Sequence, residues 1–142
     1  MAVAIDADGV HVGQDDLAAA DARRIIGPHK IVGVSAASEE EARKAERDGA
    51  DYIGAGTVFA TASKPDAGAP IGTGGLARIA AAVRIPTVAI GGINAGNAAA
   101  CIEAGAAGVA VISAVVSADD VSAAARRLRD VVETELRRRS GP

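Results

Sequence analysis

Two hydroxyls and an ammonium stand within four residues at Thr61-Ala62-Ser63-Lys64, followed by Pro65-Asp66. Hydroxyls donate hydrogen bonds and lysine supplies compact charge, so this set can hold a phosphate or pyrophosphate. It equally suits a polar, solvated loop without a ligand. A second candidate is Ile90-Gly91-Gly92-Ile93-Asn94, an apolar run passing through two glycines into a helix. Glycines let a ligand approach the backbone, and the first amides of a helix favour an anion. Ile112-Ser113-Ala114 repeats the arrangement at the end of the next apolar run. Each alone is also an ordinary turn; two at one sheet edge point to a phosphate. A third candidate is His11-Val12-Gly13-Gln14-Asp15-Asp16. A Mg²⁺ that keeps several waters needs only one or two protein carboxylates, while an aspartate here equally serves as a helix cap. Ser35, ending the second apolar run, is open between the two kinds of role.

These residues need a scaffold that brings their loops together. Short apolar, β-branched runs at Gly9 to Gly13, Lys30 to Ser35, Tyr52 to Thr57, Thr87 to Gly91 and Gly108 to Ser113 read as buried parallel strands. Ala-rich charged stretches between them read as helices. Ser38 with Glu41 forms a capping box. Ser117 opens a last helix with Asp119 and Asp120 in its first turn, carrying the stripe Val121, Ala124, Leu128, Val131, Val132 and Leu136. Gly49 and Gly105 are expected to stop helices. Strand starts at 9, 31, 52, 87 and 109 are spaced 22, 21, 35 and 22 apart. The surplus falls between Thr57 and a helix expected near Gly75, at the C-terminal edge of the sheet, where loops build active sites.

Composition narrows the function classes. The chain has 142 residues, 49% of them hydrophobic, and a net charge of −3, so one domain over 1–142 is expected. Such a charge gives no general attraction to nucleic acid or to an anionic membrane. The Arg137-Arg138-Arg139 cluster reads as a cationic last helical turn. MAVAIDADGV lacks the features of a secretory signal, and no apolar run reaches membrane-spanning length. The single cysteine, Cys101, excludes an internal disulfide and fits a cytoplasmic location; within an Ala-rich helix it reads as a small buried filler.

The stretches ADGVHVGQDD, IVGVS, DYIGAGTVFATASKPDA, VAIGGIN and GVAVISA together resemble the thiamine phosphate synthase family, in its order and near its spacing. The resemblance implies an α/β fold of the TIM-type (βα)₈ barrel family, with parallel strands. It also implies Mg²⁺-dependent joining of hydroxymethylpyrimidine pyrophosphate to thiazole phosphate, giving thiamine phosphate and pyrophosphate. By motif position, Asp16 is implied as the Mg²⁺ ligand. Ser35, Thr61, Ser63 and Lys64 would face the pyrimidine substrate or its pyrophosphate, with Gln14 beside them. Lys64 is implied to stabilise the leaving group, and Ser35 is counted with it as catalytic. Gly92, Ile112 and Ser113 would hold the thiazole phosphate.

The five runs match the last five of the family's eight strands, so an incomplete barrel of about five βα units is expected. The family's Gln-x-Arg-x-Lys segment and an Asn-Asp pair with a further Mg²⁺ ligand would then be absent, and MAVAI would end a helix. After Ser35 stands Ala36-Ala37, where relatives usually carry Thr-His or Val-His, which counts against the related tautomerase. An open parallel sheet leaves edges and apolar surface uncovered, so a homo-oligomer is expected. A non-catalytic phosphate-binding module and an oligomerising fragment are the alternatives to an enzyme.

Overall fold

Side chains on a strand alternate between two faces, and here the two faces meet different surroundings. The computed structural model describes residues 1–61 and 68–141. The chain runs β1 (Gly9–Val12), α1 (Ala19–Ile26), β2 (Ile31–Ala36), α2 (Glu39–Arg47), β3 (Tyr52–Ala55), α3 (Gly72–Ala82), β4 (Thr87–Ile90), α4 (Ala98–Glu103), β5 (Gly108–Ala110), α5 (Ser113–Val116) and α6 (Val121–Ser140). All strand pairs are parallel and the order is β1-β2-β3-β4-β5. This is the sequential arrangement of a barrel wall, with five strands among the described residues, as expected.

Register produces one buried face. Val12, Val34, Ile53 and Thr87 align across four strands, and Ala36, Ala55, Ala89 and Val109 form the next row. Most of these are buried under the helices, with Leu76 and Ile79 of α3 and Ile102 of α4 packed into the same core. Small buried alanines on strands and helices, such as Ala36, Ala55, Ala42 and Ala45, let the layers approach closely. The intervening rows occupy the opposite, concave face. His11, Gly33 and Tyr52 align there, followed by Ser35, Gly54, Val88 and Gly108. Ile31 at 51% exposure and Ile90 at 43% lie on that side too.

Helices stop where the glycines predicted. Gly49 and Gly105 have φ of 91° and 105°, a region costly for residues with a Cβ. After α2, Gly49 N donates to Glu46 O and Ala50 N to Ala45 O; after α4, Gly105 N donates to Ile102 O and Ala106 N to Cys101 O. Both are Schellman closures, which satisfy the last helical carbonyls. Arg139 adds a second clamp by donating to Ile102 O and Ala106 O at 3.0 and 2.9 Å. Arg138 pairs with Glu135 and Arg137 with Glu133, so the basic cluster is a paired helix terminus. Cys101 is fully buried, and burial pushes its thiol up.

Several boundaries differ from expectation. The last strand ends at Ala110, because Ser113–Val116 turns into the short α5, with Ser117 closing it. The long helix therefore begins later. Asp120 is its N-cap, accepting from Ala123 N at 2.8 Å, and Val121 is exposed. Helix α3 starts at Gly72 rather than near Gly75. MAVAI forms turns, with Ile5 N donating to Met1 O and Ala7 N to Ala2 O. No described helix is long and apolar enough to cross a membrane.

Thr87 is 3% exposed, and its Oγ1 has no hydrogen-bond partner among the described residues. A buried unpaired hydroxyl costs about 1–3 kcal/mol. Thr87→Val keeps the β-branched shape, so it is expected to raise the free energy of unfolding by about 1 kcal/mol. A lower midpoint in urea would contradict this.

Candidate functional site

The C-terminal ends of all five strands converge on one cavity of about 370 Å³. After β1 the chain makes a tight turn in which Asp16 N donates to Gly13 O and Gly13 N donates to Asp16 Oδ2 at 2.7 Å. Helix α1 begins later, with Ala18 as N-cap and no side-chain cap. Neither Asp15 nor Asp16 caps that helix, which removes the alternative role read from the sequence. Asp15 lines the cavity, and Gln14 lines it while its amide donates to Ser35 O at 2.5 Å.

Ser35 lines the cavity from the end of β2. Past it, Glu41 in the first turn of α2 folds back so that its carboxylate accepts from Ala37 N at 2.7 Å, while Ser38 Oγ accepts from Glu41 N. Residues 56–61 run beside the end of β4, with Val58 N donating to Ile90 O and Phe59 N to Gly91 O. Val58 is fully buried and Phe59 packs on the core, so apolar anchoring fixes the base of the long connection. Thr57 and Thr61 face the cavity from this segment. Ser63 and Lys64 lie outside the described residues.

The glycine pair after β4 adopts a left-handed backbone. Gly91 and Gly92 have φ of 99° and 63°. Asn97 Nδ2 donates to Gly92 O at 3.0 Å, and Asn97 Oδ1 accepts from Asn94 N at 2.8 Å, which ties the turn to the start of α4. Gly91, Gly92, Ile112 and Ser113 all line the cavity. The structure thus brings Gln14, Ser35, Thr61, Gly92, Ile112 and Ser113 to one place. Asp16 stands one residue beyond the lining Asp15, its carboxylate turned to Gly13 N.

Among the described lining residues the only charged side chains are Asp15 and Glu41. An anionic ligand would therefore depend on backbone amides, on Lys64 or on a cation. No group of three or more His, Cys, Asp or Glu among the described residues could hold a metal ion alone. The exposed Asp16 carboxylate, with Asp15 beside it, matches Mg²⁺ of the kind completed by water and ligand phosphates.

Sequence reading missed one constellation. His11 Nε2 lies 2.9 Å from Ser35 Oγ and His11 Nδ1 lies 2.8 Å from Tyr52 Oη. Partial burial draws His11 down from the usual imidazole value, opposed by the Asp16 carboxylate; burial pushes Tyr52 up. The strand-start spacing held the signal, because it puts positions 11 and 52 on one face flanking position 33.

Comparison with known proteins adds a family. The thiamine monophosphate synthase family matches residues 1–115. A thiamine-phosphate synthase of Moorella thermoacetica is 64% identical over 132 residues, covering 93% of this chain and 63% of that protein. Its counterpart in Chloroflexus aurantiacus is 63% identical over 132 residues, covering 93% and 61%. The solved thiamine phosphate pyrophosphorylase of Pyrococcus furiosus superposes with a TM-score of 0.87 at 49% identity, covering 96% of this chain and 64% of that one. The chain spans a little over 60% of the length of these relatives.

Proposed function

The chain belongs to the thiamine monophosphate synthase family, and from that membership we propose that its cavity serves Mg²⁺-dependent joining of hydroxymethylpyrimidine pyrophosphate to thiazole phosphate. The supporting observation is the convergence of Gln14, Ser35, Thr61, Gly92, Ile112 and Ser113 on one cavity at the strand ends. Amides around Gly92, Ile112 and Ser113 would hold the thiazole phosphate. Ser35, Thr61, Ser63 and Lys64 would face the pyrimidine pyrophosphate, with Gln14 bracing Ser35 through its carbonyl. Asp16 would hold Mg²⁺, which when bound neutralises charge on the pyrophosphate.

In this reading the carbon–oxygen bond between the pyrimidine methylene and pyrophosphate breaks, and the bonding pair leaves with pyrophosphate. The thiazole nitrogen then gives its pair to the methylene carbon. The protein positions two ligands and stabilises the leaving charge, so no protein nucleophile takes part. A cytoplasmic setting accords with the lone, buried Cys101.

The test mixes both substrates with Mg²⁺ and measures thiamine phosphate and pyrophosphate. Lys64→Ala is expected to lower the rate by about 10²–10³-fold, the scale for losing one preorganised charge-stabilising group. An unchanged rate would remove Lys64 from the reaction.

A second reading rests on the open concave face, where Ile31 and Ile90 are exposed, as is Ile112 at the cavity, and on β1 and β5 as edge strands. Such surface favours association, and we propose a homo-oligomer that covers it. A monomer at all concentrations in light scattering would count against that assembly. Calorimetric binding of thiazole phosphate without turnover would favour a binding module over an enzyme.

A further inference from the structure

Three strands place a phenol, an imidazole and an alcohol in a line that ends at the cavity. Tyr52 of β3 meets His11 Nδ1 at 2.8 Å, and His11 Nε2 of β1 meets Ser35 Oγ of β2 at 2.9 Å. The backbone leaves space for this line. A Cβ on Gly33 would collide with the Tyr52 ring, and one on Gly54 would stand 2.9 Å from His11 Cε1. Ser35 is also held from its other side, because Gln14 donates to its carbonyl. Of the three, Ser35 alone lines the cavity.

A neutral imidazole has one donor and one acceptor nitrogen, and each hydroxyl has one proton to give. Two arrangements satisfy both contacts. In one, Tyr52 donates to Nδ1, Nε2–H donates to Ser35 Oγ, and the Ser35 proton is left to donate into the cavity. In the other, Ser35 donates to Nε2, Nδ1–H donates to Tyr52, and the phenol proton points away from the site. A phenol is the more acidic hydroxyl and thus the better donor to a ring nitrogen. Partial desolvation acts in the same direction, disfavouring the imidazolium, against the opposing Asp16 carboxylate, and disfavouring the phenolate.

We propose that Tyr52 and His11 are positioning residues that hold His11 in its Nε2–H form and so commit the Ser35 hydroxyl as a hydrogen-bond donor to a pyrophosphate in the cavity. The choice of pyrophosphate rests on the function proposed above; the proton arrangement rests on the two contacts and on the phenol being a stronger donor than the alcohol. A serine whose proton is pledged elsewhere would present only lone pairs to an anion. The relay therefore converts an ambivalent hydroxyl into a donor.

Two measurements test this on the whole chain. Nitrogen-15 spectra of histidine-labelled protein are expected to show the Nε2–H tautomer at His11, with that preference reduced in Tyr52→Phe. Calorimetry with Mg²⁺ and inorganic pyrophosphate is expected to show binding weakened about 3–10-fold in Tyr52→Phe, the scale of one hydrogen bond. Adding Ser35→Ala to Tyr52→Phe should cost less than it does in the wild type, because the two act as one unit. His11→Gln, which can keep a donor near Ser35, should bind more tightly than His11→Ala. In turnover, Tyr52→Phe should lower kcat and leave KM for thiazole phosphate unchanged.

An Nδ1–H tautomer in the wild type would overturn the relay, as would fully additive losses. Absence of pyrophosphate binding by the wild type would overturn the substrate assignment, and the tautomer would still decide the proton arrangement.

Discussion

Gly92→Ala is expected to destabilise the fold by about 2–5 kcal/mol and to weaken thiazole phosphate binding more than any other single substitution in the cavity. The left-handed backbone at Gly92, with φ of 63°, adds about 1–2 kcal/mol once a Cβ is present. That Cβ would stand 2.5 Å from Ala60 O and 2.7 Å from Phe59 O. Both neighbours are backbone atoms and cannot swing aside as a side-chain end would, so overpacking adds about 1–3 kcal/mol. Relief requires displacing the segment that also presents Thr57 and Thr61 to the cavity. Urea unfolding and calorimetry with thiazole phosphate check both effects. Gly108→Ala is the control, because among the described residues no atom beyond its chain neighbours lies within 4 Å of its Cβ position. Equal behaviour of the two variants would refute the argument.

Ile53→Ala is expected to cost about 2–5 kcal/mol, the range for emptying a well-packed core position. Ile53 is fully buried at the centre of the row formed by Val12, Val34 and Thr87. Its strand partners Val34 and Thr87 are β-branched and fixed by the ladder, so they relax little into a cavity. Such a loss is a large share of the roughly 5–15 kcal/mol that typically stabilises a domain. Ile31→Ala provides the contrast, since Ile31 is half exposed on the concave face. In a monomer it should cost less than about 1 kcal/mol. A cost for Ile31→Ala matching that of Ile53→Ala would mean that another copy covers the face, which would support the proposed oligomer. A small cost for Ile53→Ala would contradict the packing argument.

Local chemistry made much of this architecture legible. The strands were readable because residues such as Val32, Val34 and Ile53 form short β-branched runs. Gly49 and Gly105 marked helix ends because closure there requires a left-handed residue. Gly91 and Gly92 were readable because glycine lets a ligand approach the backbone, and Ile112 and Ser113 because they end an apolar run before a helix, whereas the site roles of Gln14 and Ser35 came from the family resemblance. The end of β5 was misread because Val111 and Ile112 continue an apolar run while the backbone has already turned toward α5. Apolar residue type does not report where a strand stops, and Ile112 is in fact exposed. The aspartates after β1 were ambiguous because a carboxylate can cap a helix or hold a cation, and only the fold shows Asp16 bonded to Gly13 N with α1 left uncapped by either.

By itself, the sequence determined the alternation of strand and helix, the family, and the set of loops that could meet a phosphate, because these depend on residue type and short spacing. Tertiary structure alone decided which side chains touch. His11, Ser35 and Tyr52 are separated by 24 and 17 positions in the chain, and they meet because parallel register stacks three strands with glycines clearing the space between them. Strand-start spacing aligns positions 11, 33 and 52 on one face, but whether side chains on those three strands touch depends on the packing of the whole sheet against its helices.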